Sequence, residues 1–167
     1  MSALPIDSAR PSSPAAVPTV HAVPGFRIQS RIVDFITAER TQLMNITERI
    51  SEIVRRSGIS DGLVHLQTLH TTTGLAIGEW QDALLDDFKG FVDSVVTRDG
   101  DYKHNDPAFS DCERRNADSH LKGSLFGQTL LLQVRNAALL LGTWQSLILA
   151  EFDGPRSRSI AVQISGI

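Results

Sequence analysis

Three histidines, His70, His104 and His120, are the side chains best suited to chemistry, each among polar neighbours. Neutral imidazole is a common zinc ligand and an acid–base group near neutral pH. Three protein ligands plus water is the open, catalytic form of a zinc site. The three lie far apart in the chain and match no compact metal motif such as HExxH, so their convergence is an expectation for the fold to meet. His70 opens a run of hydroxyls, Thr71, Thr72 and Thr73, followed by Glu79. Threonine favours strands, so the run reads as the polar face of a strand or as ligand contacts. A glutamate near imidazoles can act as general base or orient a ring through its second nitrogen. Glu79, Gln145, Glu151 and Asp153 are candidates for this, and each also reads as strand-edge solvation. Arg114, Arg115, Lys122, Arg156 and Arg158 read either as a solvated basic edge or as partners for phosphate, which guanidinium suits. His21 lies near the N-terminus, and His65 reads as a structural histidine of a core strand. No GxxxxGK[ST] loop and no convincing GxGxxG is present.

These residues must be positioned by strands and helices whose periods are visible. Residues 26–36 alternate as one or two strands. Leu43, Ile46, Ile50, Ile53 and Val54 recur at helical steps, with Thr41 as N-cap and Gly58 as the stop. A largely buried strand then runs through His70. A second helix spans about residues 82–96, its stripe Leu84, Phe88, Phe91 and Val95, widened by Leu85, Val92 and Val96, expected to be well buried. Residues 97–116 form a polar loop of a length that is uncommon unless functional or disordered, and the functional alternative is preferred. Ser110 and Glu113 have capping-box spacing ahead of a short helix carrying His120 and Leu121 to Gly127. Strands follow at residues 129–134, at Thr143 to Phe152, and through Ile160, Val162 and Ile164, with turns at Asn136 and at Asp153-Gly154-Pro155. The expected fold is α+β: a compact single domain with a mainly antiparallel β-sheet core and two principal helices.

With 167 residues, 41% of them apolar, the chain can bury one ordinary core. Its net charge of -3 carries no basic footprint for duplex nucleic acid. The single cysteine, Cys112, excludes an internal disulfide and a CxxC zinc site, which fits a reducing compartment, with cytoplasm as the default. No apolar run approaches the roughly 20 residues of a membrane span. Residues 1–24 hold Pro5, Pro11, Pro14, Pro18 and Pro24, without the basic and apolar regions of a signal peptide. They read as a flexible tail that folding can spare, leaving a domain at 25–167.

Several motifs in order resemble the YjbQ-like family, also called the secondary thiamine-phosphate synthase family. They are His70-Thr71-Thr72 with Glu79, Tyr102 with His104-Asn105, Asn116 with His120-Leu121 and Gly127, and Leu141-Gly142-Thr143-Trp144-Gln145. Glu151 and Asp153-Gly154-Pro155-Arg156 with Arg158 complete the set. The chain departs from the pattern at Gly78, Trp80 and Ala137. The resemblance covers about residues 26–167 and implies a homotrimer. It also implies a polar site of His70, His104, His120 and Glu79, in some members around a divalent metal such as zinc. The implied side activity joins hydroxymethylpyrimidine diphosphate to thiazole phosphate, with Thr71, Thr72, Lys122, Gln145, Arg156 and Arg158 as candidate substrate and phosphate contacts. A non-catalytic small-ligand or metal-binding trimer is the alternative.

Overall fold

Alternation along the first and last strands sets the architecture. The computed structural model describes residues 25–167; the proline-rich stretch 1–24, read above as a flexible tail, lies outside the described residues. Strand β1 (Arg27–Ile36) pairs antiparallel with β8 (Ser157–Gly166). Along β8, Arg158, Ile160, Val162 and Ile164 all point inward and are buried. Strand β8 also pairs with β3 (Gly62–Thr68), which pairs with β5 (Thr129–Arg135) and through it reaches the short β6 (Ala138–Leu139). The five-stranded sheet therefore has the order β1-β8-β3-β5-β6. A second sheet, β2-β7-β4, comprises Gln42–Asn45, Ser146–Glu151 and Thr73–Gly78. Among the described residues every pairing is antiparallel, in line with the expected α+β fold with a mainly antiparallel sheet core.

The core fills the space between the sheets, where Val64, Leu66, Ile160 and Ile164 meet Leu75, Leu147 and Leu149. Helix α1 (Thr47–Ser57) adds Ile50, Ile53 and Val54 to it. Each such side chain contributes about 1.5–3 kcal/mol by leaving water. Strand β7 is buried on both faces. Leu147 and Leu149 join this core, while Ala150 and Phe152 pack with Val92 of α2 (Asp82–Val95) and with Phe126 at the end of α3 (Ala117–Phe126).

Four expectations are corrected. Residues 42–45 form β2 rather than the first turn of a helix, because their backbone pairs with β7, and the helix starts only at Thr47. The strand after Gly142 begins at Ser146, leaving Trp144 exposed. Ser110 does not cap a helix: its hydroxyl accepts from the Cys112 amide, and α3 starts after Asn116. Helix α2 forms where expected, but it is buried by Leu85 and Val92, with Val96 just beyond its end. Leu84 and Phe88 are partly covered, Phe88 edge to face on Phe126 at 4.8 Å, while Phe91 and Val95 face outward, Phe91 63% exposed. Helical period alone does not say which of two adjacent apolar stripes meets the sheet.

Candidate functional site

His70 follows β3 and is fixed by the last strand. The Leu69 amide donates to the Ser159 carbonyl at 3.0 Å, and the Ser159 amide donates to His70 Nε2 at 2.8 Å. The hydroxyls that follow build the turn into β4 from within. Thr73 Oγ1 hydrogen-bonds to Thr68 Oγ1 and donates to the His70 carbonyl at 3.2 Å, and both threonines are buried. Thr72 Oγ1 accepts from Arg158 Nη2 at 3.0 Å. Only Thr71 of the run is exposed.

His120 is carried by α3, which docks against this turn. Gly123 makes the close approach possible: a Cβ there would stand 3.0 Å from the Thr71 carbonyl oxygen. Ser119 Oγ donates to the Phe152 carbonyl at 2.6 Å, tying the helix to the end of β7. His104 lies in a single 3-10 turn at Lys103–Asn105 within the long loop. Asn105 Oδ1 accepts from the Ala117 amide at 3.0 Å, which holds the loop against the start of α3. The His104 and His120 rings consequently meet edge to face, their centroids 5.0 Å apart. All three histidines border one cavity of about 360 Å³, together with Arg114, Asn116 and Arg156.

Its floor is a polar network that apolar strands keep dry. Glu151, fully buried on β7, accepts from Arg158 through both oxygens, at 2.6 Å from Nη2 and also from Nε. The same carboxylate accepts from the Phe152 amide at 2.9 Å, the Asp153 amide at 2.8 Å and Thr37 Oγ1 at 3.2 Å. Asp153 is the second hub: Arg40, Arg114 and Arg156 pair with it at 3.4, 3.4 and 3.5 Å, and Asn116 Nδ2 donates to it at 3.0 Å. Of these arginines Arg114 and Arg156 border the cavity with Asp153, and Arg158 is matched by Glu151, so the wall carries a small excess of positive charge.

Both perturbed histidines are pushed toward the neutral form. The pKa of His70 lies below 6.5, first through burial and then through the neighbouring Arg158 charge. That of His120 is lowered by burial and by His104 beside it. Since His70 Nε2 accepts an amide hydrogen, its single ring proton resides on Nδ1, so His70 offers the cavity a donor and no free lone pair. His120 is the neutral imidazole available to accept a proton.

The donor set does not fit the tris-imidazole metal site that the resemblance implies. With Nε2 of His70 occupied by the Ser159 amide and Nδ1 protonated, neither nitrogen can ligate while that bond stands. Among the described residues, no three His, Cys, Asp or Glu side chains are placed to hold an ion.

Of the candidate residues, His70, His104, His120, Thr71, Thr72, Arg156 and Arg158 border the same cavity. Arg158 is committed to Glu151 and Thr72, which makes it part of the floor. Three candidates stand elsewhere. Glu79 is exposed beyond β4 on a separate apolar groove beside Leu84 and Phe88, because the residues between it and His70 run away along β4. Lys122 is buried beneath α3 and pairs with Asp93 at 2.6 Å and Asp118 at 3.6 Å, one helix face away from the cavity. Gln145 is exposed and uses Oε1 to accept from the Gly142 amide at 2.7 Å, closing its own turn. Arg40 and Asp153 carry more of the site than their sequence context signals. For Asp153 the clue is an acid just after an apolar strand; for Arg40, in a polar stretch, there is none.

Comparison with known proteins places this arrangement. The family model described as UPF0047 protein YjbQ-like matches residues 31–167. The chain belongs to the YjbQ-like UPF0047 family. The UPF0047 protein of Archaeoglobus fulgidus is 39% identical over 127 residues, covering 76% of this chain and 94% of that protein. That of Methanothermobacter thermautotrophicus is 37% identical over 130 residues, 78% of this chain and 87% of its own. The crystal structure of a protein of unknown function from Sulfolobus solfataricus P2, described as YbjQ-like, superposes with a TM-score of 0.79 at 29% identity, covering 85% of this chain and 99% of that one. The YjbQ-like fold is thus shared across nearly the whole length of these relatives. Among the described residues, no helix is long and apolar enough to cross a membrane.

Proposed function

We propose that this chain is a YjbQ-like enzyme that acts on a phosphorylated small molecule in the histidine cavity, with the thiamine-phosphate synthase reaction as its side activity. The observation that carries the proposal is the meeting of His70, His104 and His120, from three separate elements, with Arg114 and Arg156 around one cavity. In that reaction the thiazole nitrogen forms a C–N bond to the pyrimidine methylene carbon as the C–O bond to diphosphate breaks, and the electron pair leaves with diphosphate. The attacking nitrogen carries no proton, so the chemical demand falls on the leaving group. Cationic groups held in place before the reaction stabilise such developing charge. Arg114 and Arg156 are positioned for this, His70 donates from Nδ1, and neutral His120 can take a proton from a bound hydroxyl or water.

The exposed stripe of α2, with Phe91 and Val95, fits a protein–protein contact such as that of the homotrimer the resemblance implies, since contiguous apolar surface of this kind marks interaction sites. The lone Cys112 supports a cytoplasmic location.

The test is incubation with hydroxymethylpyrimidine diphosphate and thiazole phosphate, following thiamine phosphate and diphosphate release. Turnover that is lost in His120→Ala and Arg156→Ala is expected; absence of turnover in the unaltered protein, across this pair and a panel of phosphate esters, overturns the proposal. One observation favours the alternative of a non-catalytic ligand-binding protein: Glu79, the motif carboxylate, stands apart from the histidines. Calorimetric binding with the ligand recovered unchanged would decide for it.

A further inference from the structure

The long loop does more than carry His104. Between it and the body lies a cavity of about 720 Å³, twice the volume of the histidine cavity, lined by Arg40, Arg98, Arg114 and Arg115. Arg114 borders both cavities. Arg40 and Arg114 are held from behind by Asp153, and Arg40 also pairs with Asp118 at 3.1 Å, so their guanidinium groups are fixed before any ligand arrives. Among the described residues, Arg98 and Arg115 have no ion-pair partner. Arg115 also adopts φ 49°, a left-handed conformation that costs a residue with a Cβ about 1 kcal/mol or more. Strain of this kind persists where the surroundings hold it. Here it accompanies the turn of backbone from the loop into Asn116 and α3.

We propose that this cavity is a phosphoryl-anion site, separate from the histidine cavity and joined to it through Arg114, that receives a phosphate or diphosphate group of the ligand. Planar guanidinium groups from several directions match phosphoryl oxygens bidentately. Asp99 and Asp101 also line the cavity, as does Asp106, which accepts from the Ala108 amide through its side chain. These carboxylates nearly balance the arginines, which fits a compact anion set against the guanidinium groups and disfavours an extended polyanion such as nucleic acid. Tyr102 forms part of the wall, its hydroxyl donating to the Thr97 carbonyl at 2.7 Å and its ring lying against Gly100, so an aromatic surface stands beside the arginines. The inference rests on the reading of the histidine cavity as a site for phosphorylated substrates, and it adds where a second phosphoryl group is held.

The experiment is calorimetric titration of the full chain with inorganic pyrophosphate, which needs no turnover. Binding that weakens with added salt is expected. Arg98→Ala and Arg115→Gly should each weaken it roughly tenfold, the loss of one charge-assisted contact. Glycine accepts the left-handed conformation, so Arg115→Gly should keep or raise the melting temperature and its effect reports on the ligand alone. Glu79→Gln, on a groove apart from both cavities, should bind as the unaltered chain does. No binding, or binding indifferent to both arginine variants, overturns the site. Binding lost in His120→Ala but kept in Arg98→Ala and Arg115→Gly overturns it too, by moving the anion to the histidine cavity and leaving the proposed function standing.

Discussion

Replacing Arg158 by methionine tests how the cavity floor is held. The substitution keeps the length of the buried stem but removes both contacts to Glu151, which is fully buried, and the one to Thr72. Stripping one partner from a buried pair costs about 3–5 kcal/mol, because the remaining charge has no water to turn to. For a chain of this size each kcal/mol lowers Tm by about 2–4 °C, so a fall of about 6–20 °C is expected. The double variant Glu151→Leu/Arg158→Met removes the stranded charge as well. It still deprives the Asp153 amide of its acceptor, worth about 1–3 kcal/mol, while the Phe152 amide keeps the Thr72 carbonyl at 3.1 Å. Its loss should therefore be no larger than that of Arg158→Met and well below the sum of the two single losses, a coupling of at least about 3 kcal/mol. Guanidinium unfolding followed by far-UV circular dichroism, at one chain concentration, measures all four corners of the cycle. Fluorescence would serve less well, since Trp80 and Trp144 are both exposed. Arg158→Met within 1 kcal/mol of the unaltered protein, or single losses that add to within about 0.5 kcal/mol, would refute the account.

Three further outcomes follow from the site. Because the folded pKa of His70 lies below its ordinary value, the unfolded chain takes up the proton first as pH falls; stability is complete above about pH 6.5 and declines as pH drops through the folded value. Unfolding midpoints at pH 7.5 and 5 should accordingly differ less in His70→Asn than in the unaltered chain, and equal differences would deny the linkage. Lys122→Met should cost about 1–3 kcal/mol by leaving Asp118 with Arg40 alone, with substrate affinity unchanged; a matching loss of affinity would restore its phosphate-binding role. Glu79→Gln should leave turnover in the histidine cavity unaltered, and a fall of about 100-fold would return it to the catalytic groups.

Period and turn chemistry in the sequence were enough to determine most elements here. The alternation of Ile160, Val162 and Ile164, the helical steps from Ile46 to Val54 and the Asp153-Gly154-Pro155 turn are local patterns, and the structure contains what they imply. The family was legible for a related reason: its motifs are short runs of adjacent residues, read without knowing what they touch. The same locality explains what was misread. Residues 42–45 could be assigned to β2 only through pairing with β7, about a hundred positions away, and the buried face of α2 depended on where Phe152 and Phe126 stood. Within the site, the sequence named the three histidines but could not assign their states. His70 became a donor because the Ser159 amide, brought beside it by strand pairing, takes its Nε2 lone pair. Glu79 and Lys122 were near histidines in sequence and turned away from them in space, while Arg40 and Asp153 came together from opposite ends of the domain. Charge and hydrogen bonding act across a few ångströms whatever the separation along the chain, so which polar groups form a site was decided by tertiary packing.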